Sequence, residues 1–398
     1  MTHTEPQPVT YPMFRAHPLD PPAELGRWRE ESPVRPMVFA DGHLGWLAIS
    51  HAAVRAVLAD PRFSTRVELL HPPVGQRMSQ MVRRQMPGFF LREDPPEHTR
   101  FRKLLTGQFT VRRMKQLEPR IEKITGDRLD AMETAGAPAD LVRDFALPIP
   151  SLVICELLGV PYADHERFQR DSSALLNLES TPERTREALD GLIGYLGELV
   201  VRKQSEPGDD LISGLVAGGG LTVPEITGAA VLLLIAGHET TANMLALGTY
   251  TLLRHPDQLH ALRDDPALID GTVEELLRYL SIVHLGPVRA ALEDLELEGQ
   301  VIRAGENVAL SLGAANRDPH RFAAPDALDI TRDAVGHVSF GHGIHQCLGQ
   351  QLARIEMRIG YPALFRRFPG LHLAIPAEDV PLRSNMAIYG VHELPVTW

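Results

Sequence analysis

Apolar residues recur at three- and four-residue spacing along most of the chain, the period of a helix with one buried face. The pattern predicts helices over 97–107, 113–134, 149–158, 164–177, 183–204, 209–217, 223–254, 257–264, 270–280 and 348–367, with an earlier one from His51 to Ala59 closed by Asp60-Pro61. The stretch 223–254 opens on Thr222-Val223-Pro224-Glu225, which reads as a capping box, and stops at Arg254-His255-Pro256. Its first half is apolar nearly all round, so it should be buried. At this length it spans roughly 48 Å. Two segments alternate instead: Val34–Val38 and Trp46–Ile49 flank Asp41-Gly42, and Leu295–Leu297 and Val301-Ile302 flank Gly299-Gln300. Both read as hairpins. A short β-rich tail closes the chain. Residues 62–92 carry no sustained period and read as a long loop, of the length usual for a functional lid or a disordered segment. Residues 1 to about 12 are polar and proline-spotted and read as a loose tail that becomes ordered only where it packs on the body. The expected fold class is mainly α with a minor β region built from the two ends of the chain.

Composition narrows the function. The chain has 398 residues, 40 Lys+Arg against 51 Asp+Glu, a net charge of -11 and 2 Cys. The acidic balance argues against a protein that holds nucleic acid through its overall field. Two cysteines cannot build a disulfide framework, nor can they hold an iron–sulfur cluster. No apolar run approaches the roughly 20 residues of a membrane span, and the N-terminus has no apolar secretion core. A cytoplasmic protein is expected. The length allows two or three domains of ~150 residues, yet no linker or internal repeat divides it.

One ten-residue segment stands out: Phe340-Gly341-His342-Gly343-Ile344-His345-Gln346-Cys347-Leu348-Gly349. Its glycines permit tight turns and close approach. Cys347 falls at the mouth of a helix, where unpaired N–H groups and the dipole favour thiolate, a soft metal ligand. Two other readings stand beside this one. Cys347 reads equally as a small buried hydrophobe, as Cys155 does within Leu152–Leu158. Alternatively His342, His345 and Cys347 are zinc ligands, although a fourth is lacking nearby.

Phe340–Gly349 matches the cysteine-ligand loop of the cytochrome P-450 superfamily, F-x-x-G-x-H/R-x-C-x-G, at every fixed position. Further matches in the family's order extend the resemblance over essentially the whole chain. Together with the tail Glu393–Trp398, the loop most resembles the bacterial, soluble actinomycete branch that includes the CYP105 family. The resemblance implies a single domain over 1–398, with a long central helix over a haem b and the cysteine loop beneath it. Cys347 would be the iron ligand, with Phe340, Gly341, Gly349 and Ala236 about the haem.

Within the long helix, Ala236-Gly237-His238-Glu239-Thr240-Thr241 places an acid and an alcohol among apolar residues, which is costly unless they are solvated or paired. The resemblance implies that Thr240 hydrogen-bonds dioxygen over the haem and that Glu239 helps relay protons. Glu275 and Arg278 share a helix face, where an exposed pair would contribute only about 0.2–0.5 kcal/mol. The resemblance instead implies a buried Glu275–Arg278–Arg332 network anchoring the segment before the cysteine loop. His98 and Arg102, four apart near the start of a helix, read by themselves as a solvated cationic face. The resemblance assigns them, with Arg289 and His345, to the haem propionates.

The chain is thus expected to be a haem-thiolate monooxygenase, inserting one oxygen atom from O2 into a C–H or C=C bond of a bulky hydrophobic small molecule such as a macrolide, polyene or terpenoid. The pocket is expected along the 62–92 loop, the 175–185 connection, the middle of the long helix, 282–288 and 386–391. Phe89, Leu233, Ala236, Val283, His284 and Ile388 are the candidate contacts. Electrons would come from NAD(P)H through ferredoxin reductase and ferredoxin. A basic docking patch is expected from Arg112, Arg113, Lys115, Arg354 and Arg358. The protein is expected to be a monomer. Peroxide-driven oxygenation, and haem binding without turnover, are the alternatives.

Overall fold

A computed structural model describes residues 7–75 and 86–398. Along the chain, α1 (Ala23–Glu31) precedes β1 (Val34–Val38), β2 (Leu44–Ala48), α2 (His51–Ala59) and the two-residue β3 (Phe63–Ser64). The helical body follows as α3 (Glu97–Thr106), α4 (Val111–Ala135), β4 (Ala139–Asp140), α5 (Pro148–Leu158), α6 (His165–Leu176), α7 (Pro182–Ser205), α8 (Leu211–Gly218), α9 (Val223–Arg254), α10 (Pro256–Asp264) and α11 (Ile269–Leu280). Then come β5 (Val288–Ala291), β6 (Leu295–Leu297), β7 (Gln300–Ile302), β8 (Asn307–Leu310), α12 (Leu312–Asn316), α13 (Gln350–Arg367), β9 (His372–Leu373) and β10 (Pro395–Thr397).

Helix boundaries fall within about two residues of the periodicity, because the chemistry of the ends is local. Thr110 and Thr181 cap α4 and α7 by accepting from the N–H three residues on. At α9 the backbone N–H of Thr222 donates to the Glu225 carboxylate at 2.7 Å, completing the capping box. α9 is long and apolar enough to cross a membrane, but 78% of its most apolar window is buried inside the protein. It runs through the core against α5, α7 and α13.

The main sheet orders its strands β1-β2-β8-β5-β3. β1 and β2 form the expected hairpin, with Val34 opposite Ala48. β2 then pairs in parallel with β8, and β8 antiparallel with β5, so the N-terminal hairpin is joined to a segment some 260 positions later. β6 and β7 form the second expected hairpin. Helix α1 was not anticipated: its sequence AELGRWREE buries only Leu25, too little to set up a period.

The regions read as unstructured gain detail. Residues 9–12 are ordered where they pack on the body: Val9 bridges Met37 in parallel at the edge of β1, and Tyr11 is buried. Residues 1–6 lie outside the described residues. Within 62–92, β3 pairs with β5 and short 3-10 turns form at Val67–Leu69 and Phe90–Arg92, while 76–85 lie outside the described residues.

Candidate active site

The cysteine loop is shaped by its glycines. Gly341 and Gly343 sit at φ of +69° and +71°, a left-handed conformation that only glycine adopts readily. At Gly343 a Cβ would also fall 2.3 Å from the Leu58 carbonyl oxygen. These turns bring the Cys347 N–H onto the Phe340 carbonyl at 2.9 Å, closing the loop beneath α9. Burial pushes the Cys347 thiol up, while the Gly349 N–H and the cations Arg102 and Arg354 pull it back down. The helix-mouth argument anticipated a lowered thiol. Desolvation outweighs it here, because Cys347 precedes the first turn of α13 by three residues, and a metal ion would be needed to favour thiolate.

Between the loop and α9 lies a cavity of about 500 Å³. Phe340, Gly341, Cys347 and Gly349 form one side, and Leu233, Ala236, Gly237 and Thr240 the other. At Gly237 a Cβ would meet the Ile154 side chain at 2.7 Å, so any larger residue would need that side chain to shift. The Thr240 hydroxyl donates back to the Ala236 carbonyl at 2.7 Å, within an uninterrupted helix.

At one edge of the cavity His98 and Arg102 of α3, Arg289 of β5 and His345 of the cysteine loop converge from three separate segments. The His98 and His345 rings are 4.1 Å apart. Burial, together with His98, Arg289 and Arg102, holds His345 down at about 3, and burial lowers Arg289 to about 10. Both ring nitrogens of His98 are buried without a hydrogen-bond partner. Asp94, the nearby carboxylate, is already occupied by the Ser64 hydroxyl at 2.5 Å and the Thr65 N–H at 2.9 Å. Desolvated donors of one sign around an apolar cavity call for an anionic ligand. A haem fits this set. Its two propionates would take the cationic edge, its apolar ring the space under α9, and its iron the Cys347 sulfur. Arg92, absent from the sequence reading, lines the same cavity, and burial lowers it too. Its signal in the sequence was a cation directly after the apolar run Phe89–Leu91.

The structural network is present and buried. The Glu275 carboxylate receives the Arg278 guanidinium at 2.7 and 2.8 Å and Arg332 Nε at 3.2 Å, and neither the Glu275 nor the Arg278 side chain is exposed. Arg278 also donates to the carbonyls of Asn316 and Pro325, each at 2.8 Å. The pair is therefore no surface i,i+3 bridge but a clamp between α11 and the segment leading to the cysteine loop. A second clamp had no sequence motif to announce it: Glu274 accepts from Arg354 on α13 at 2.5 and 2.9 Å and contacts His337 at 3.1 Å.

Other candidates stand elsewhere than expected. Glu239 does not line the cavity; its carboxylate lies 3.0 Å from Nη2 of Arg383. Leu233, Ala236 and Val283 line the cavity, whereas Phe89, His284 and Ile388 do not. At Phe89 the turn presents its neighbours Phe90 and Leu91 instead. Ile388 is paired with Val283 in an antiparallel bridge but is not part of the cavity lining. His284 turns outward, its Nε2 3.2 Å from the Met13 carbonyl. Of the expected basic patch, Arg112 and Lys115 are exposed, but Arg354 is engaged by Glu274 and Arg358 pairs with Asp270 at 2.6 Å. Cys155 lies in the core, its thiol pushed up by burial to about 12.

Comparison with known proteins agrees with this geometry. The family model "Cytochrome P450" matches residues 175–386. The chain is 52% identical over 396 residues to cytochrome P450 105C1 of a Streptomyces species, covering 99% of this chain and 100% of the relative. It is 48% identical to the pentalenic acid synthase of Streptomyces avermitilis, covering 98% of each. The crystal structure of CYP105P1 in complex with filipin I superposes with a TM-score of 0.93 at 45% identity, covering 98% of this chain and 99% of that one. Sequence, fold and site converge: the chain belongs to the cytochrome P450 family, as a CYP105-type haem b monooxygenase.

Proposed function

We propose that this monooxygenase hydroxylates or epoxidises a bulky hydrophobic secondary metabolite of the macrolide, polyene or terpenoid kind. The observation that carries the reading is the cavity wall facing Cys347, where Leu233, Ala236, Val283 and Leu285 present apolar surface beside Thr240. Such a site holds its ligand by shape and area, with few polar contacts to orient it. The relatives' names point the same way: one is a pentalenic acid synthase, one was solved with filipin I, and one is a mycinamicin VIII C21 methyl hydroxylase.

The haem supplies the oxygen-activating chemistry, and the protein supplies its ligand, its electrostatics and a shaped pocket. Cys347 would hold the iron, and His98, Arg102, Arg289 and His345 the propionates. Thr240 offers its hydroxyl oxygen to the cavity while its proton is held on Ala236. Glu239 relays protons from behind α9 once it leaves Arg383. Electrons arrive from NAD(P)H through ferredoxin reductase and ferredoxin, which dock near Arg112, Arg113 and Lys115. The chain works as one domain, a monomer in the cytoplasm.

The reduced holoenzyme under carbon monoxide should show the far-red-shifted Soret band of thiolate ligation. A panel of hydrophobic metabolites is then screened for the low-to-high spin shift, and hits are assayed for turnover with ferredoxin and reductase or with peroxide alone. An ordinary haem spectrum defeats the reading, and peroxide-only turnover replaces its electron route.

A further inference from the structure

The N-terminal strand of chain lies against the outer side of the substrate wall. It is anchored at the edge of β1, where the Val9 N–H donates to Pro36 O at 3.1 Å and the Val38 N–H to Val9 O at 2.8 Å. Two residues on, the buried Tyr11 hydroxyl donates to the His284 carbonyl at 3.3 Å and receives the Gly286 N–H at 3.5 Å. Burial raises the Tyr11 pKa, so the hydroxyl keeps its proton. His284 returns the contact through Nε2 to the Met13 carbonyl at 3.2 Å. Its ring stands edge-on to Tyr389 at 5.4 Å, and the Arg15 guanidinium lies 3.9 Å over that same Tyr389 ring.

The segment gripped in this way is irregular, with neither helix nor strand ladder to fix it between Ser281 and Pro287. Its opposite side carries Ile282, Val283, Leu285 and Pro287 into the cavity. Beneath, it is tied to the C-terminal loop, with the His284 N–H on Ala387 O at 3.0 Å and the Tyr389 N–H on Ile282 O at 2.7 Å. Gly286 is pressed against β8, where a Cβ would fall 1.6 Å from the Leu310 carbonyl oxygen. Residues 9–15 therefore close a sandwich whose middle layer is the cavity wall, and the two Tyr11 bonds flank Leu285, a wall residue.

We propose that Tyr11 and His284 are positioning residues for the substrate site, fixing Val283 and Leu285 in place without touching the ligand. This rests on reading the cavity as the substrate site. The test uses the holoenzyme and two azoles followed by the Soret shift: imidazole, which needs only the iron, and clotrimazole, whose aryl rings also fill the cavity. Tyr11→Phe removes both hydroxyl bonds and His284→Phe the Nε2 bond to Met13, each keeping an aromatic ring. Loss of a hydrogen bond that orders the wall should weaken clotrimazole about fivefold and leave imidazole unchanged. Hydrogen exchange should quicken in a peptide spanning 282–288 and not in α9. Unchanged clotrimazole affinity and exchange in both variants overturns the proposal. A parallel loss of both azoles overturns it too, since the haem site itself has then moved. If the wild-type protein binds imidazole but not clotrimazole, the reading of the cavity fails, and the proposal falls with it.

Discussion

Glu239, the residue before Thr240, is ion-paired to Arg383 at 3.0 Å, with side-chain exposures of 3% and 10%. The acid is thus tied to the C-terminal loop, and Asn243 Nδ2 holds the Glu239 carbonyl at 2.7 Å on the same turn of α9. Removing one member of a buried pair strands the other as an uncompensated charge, which costs about 3–5 kcal/mol. Glu239→Gln and Arg383→Leu should each lower the unfolding free energy by an amount of this order. The double variant should lose clearly less than the sum. Urea denaturation of the four holoproteins measures the cycle, and additive losses would show that the pair is not coupled.

The cationic edge of the cavity makes a separate prediction about haem retention. Arg102 and Arg289 are desolvated and aimed at the same space as His98 and His345. A charge-assisted hydrogen bond is worth roughly 1.5–3 kcal/mol, so losing one should speed haem release about tenfold or more. Transfer of haem to excess apomyoglobin measures this directly. Arg289→Leu and Arg102→Leu should both accelerate it, while Arg112→Leu, on the exposed start of α4, should leave it unchanged. Equal rates in all three would remove these residues from the propionate site.

The helices, both hairpins and the cysteine loop were legible because their signals are local: a period, a cap, a turn dipeptide, a run of fixed residues. Resemblance in order along the chain then brought Glu275, Arg278 and Arg332 together, although spacing alone allowed only an exposed pair. What stayed hidden depends on which way a side chain faces after distant segments meet. Arg383 lies 144 positions from Glu239, in a C-terminal loop with no period of its own, so nothing local paired them. His284 fell within the right segment, but alternate residues of an extended chain face opposite ways. Val283 faces the cavity and His284 faces the N-terminal strap. Residues 9–12 looked loose because proline-rich polar sequence carries no pattern, yet Tyr11 is anchored by a partner 273 positions away.

The docking patch is smaller than the count of cations suggested. Arg354 is only 14% exposed and its guanidinium is committed to Glu274, so it is unavailable to a partner. Arg112 and Lys115 remain exposed. Reversing charge at these two should slow reduction by an acidic ferredoxin, and the difference from wild type should shrink as salt rises. Arg354→Glu should instead lower thermal stability. Stopped-flow reduction at low and high salt separates the two effects, and a low-salt rate in the Arg112→Glu, Lys115→Glu double variant equal to that of the wild type would rule out this face.

Glu274 ties stability to pH. Burial alone would raise this carboxyl, but the hydrogen bonds from Arg354 and His337 outweigh it and hold it at about 2, against an ordinary value of 4.5. A carboxyl whose pKa is depressed by folding stabilises the native state fully above its unfolded pKa, and that stability is lost as pH falls towards the folded value. The contribution should therefore be complete above about pH 5 and fade between roughly pH 4.5 and 2. Because the clamp joins α11 to α13, its loss should loosen the helix that follows Cys347. Glu274→Gln should be less stable than the wild type at pH 7, and the gap should narrow as pH falls below 4.5. Urea midpoints of both holoproteins across pH 7 to 3 test this. A gap that stays constant across that range would show that the charge on Glu274 contributes nothing to the fold.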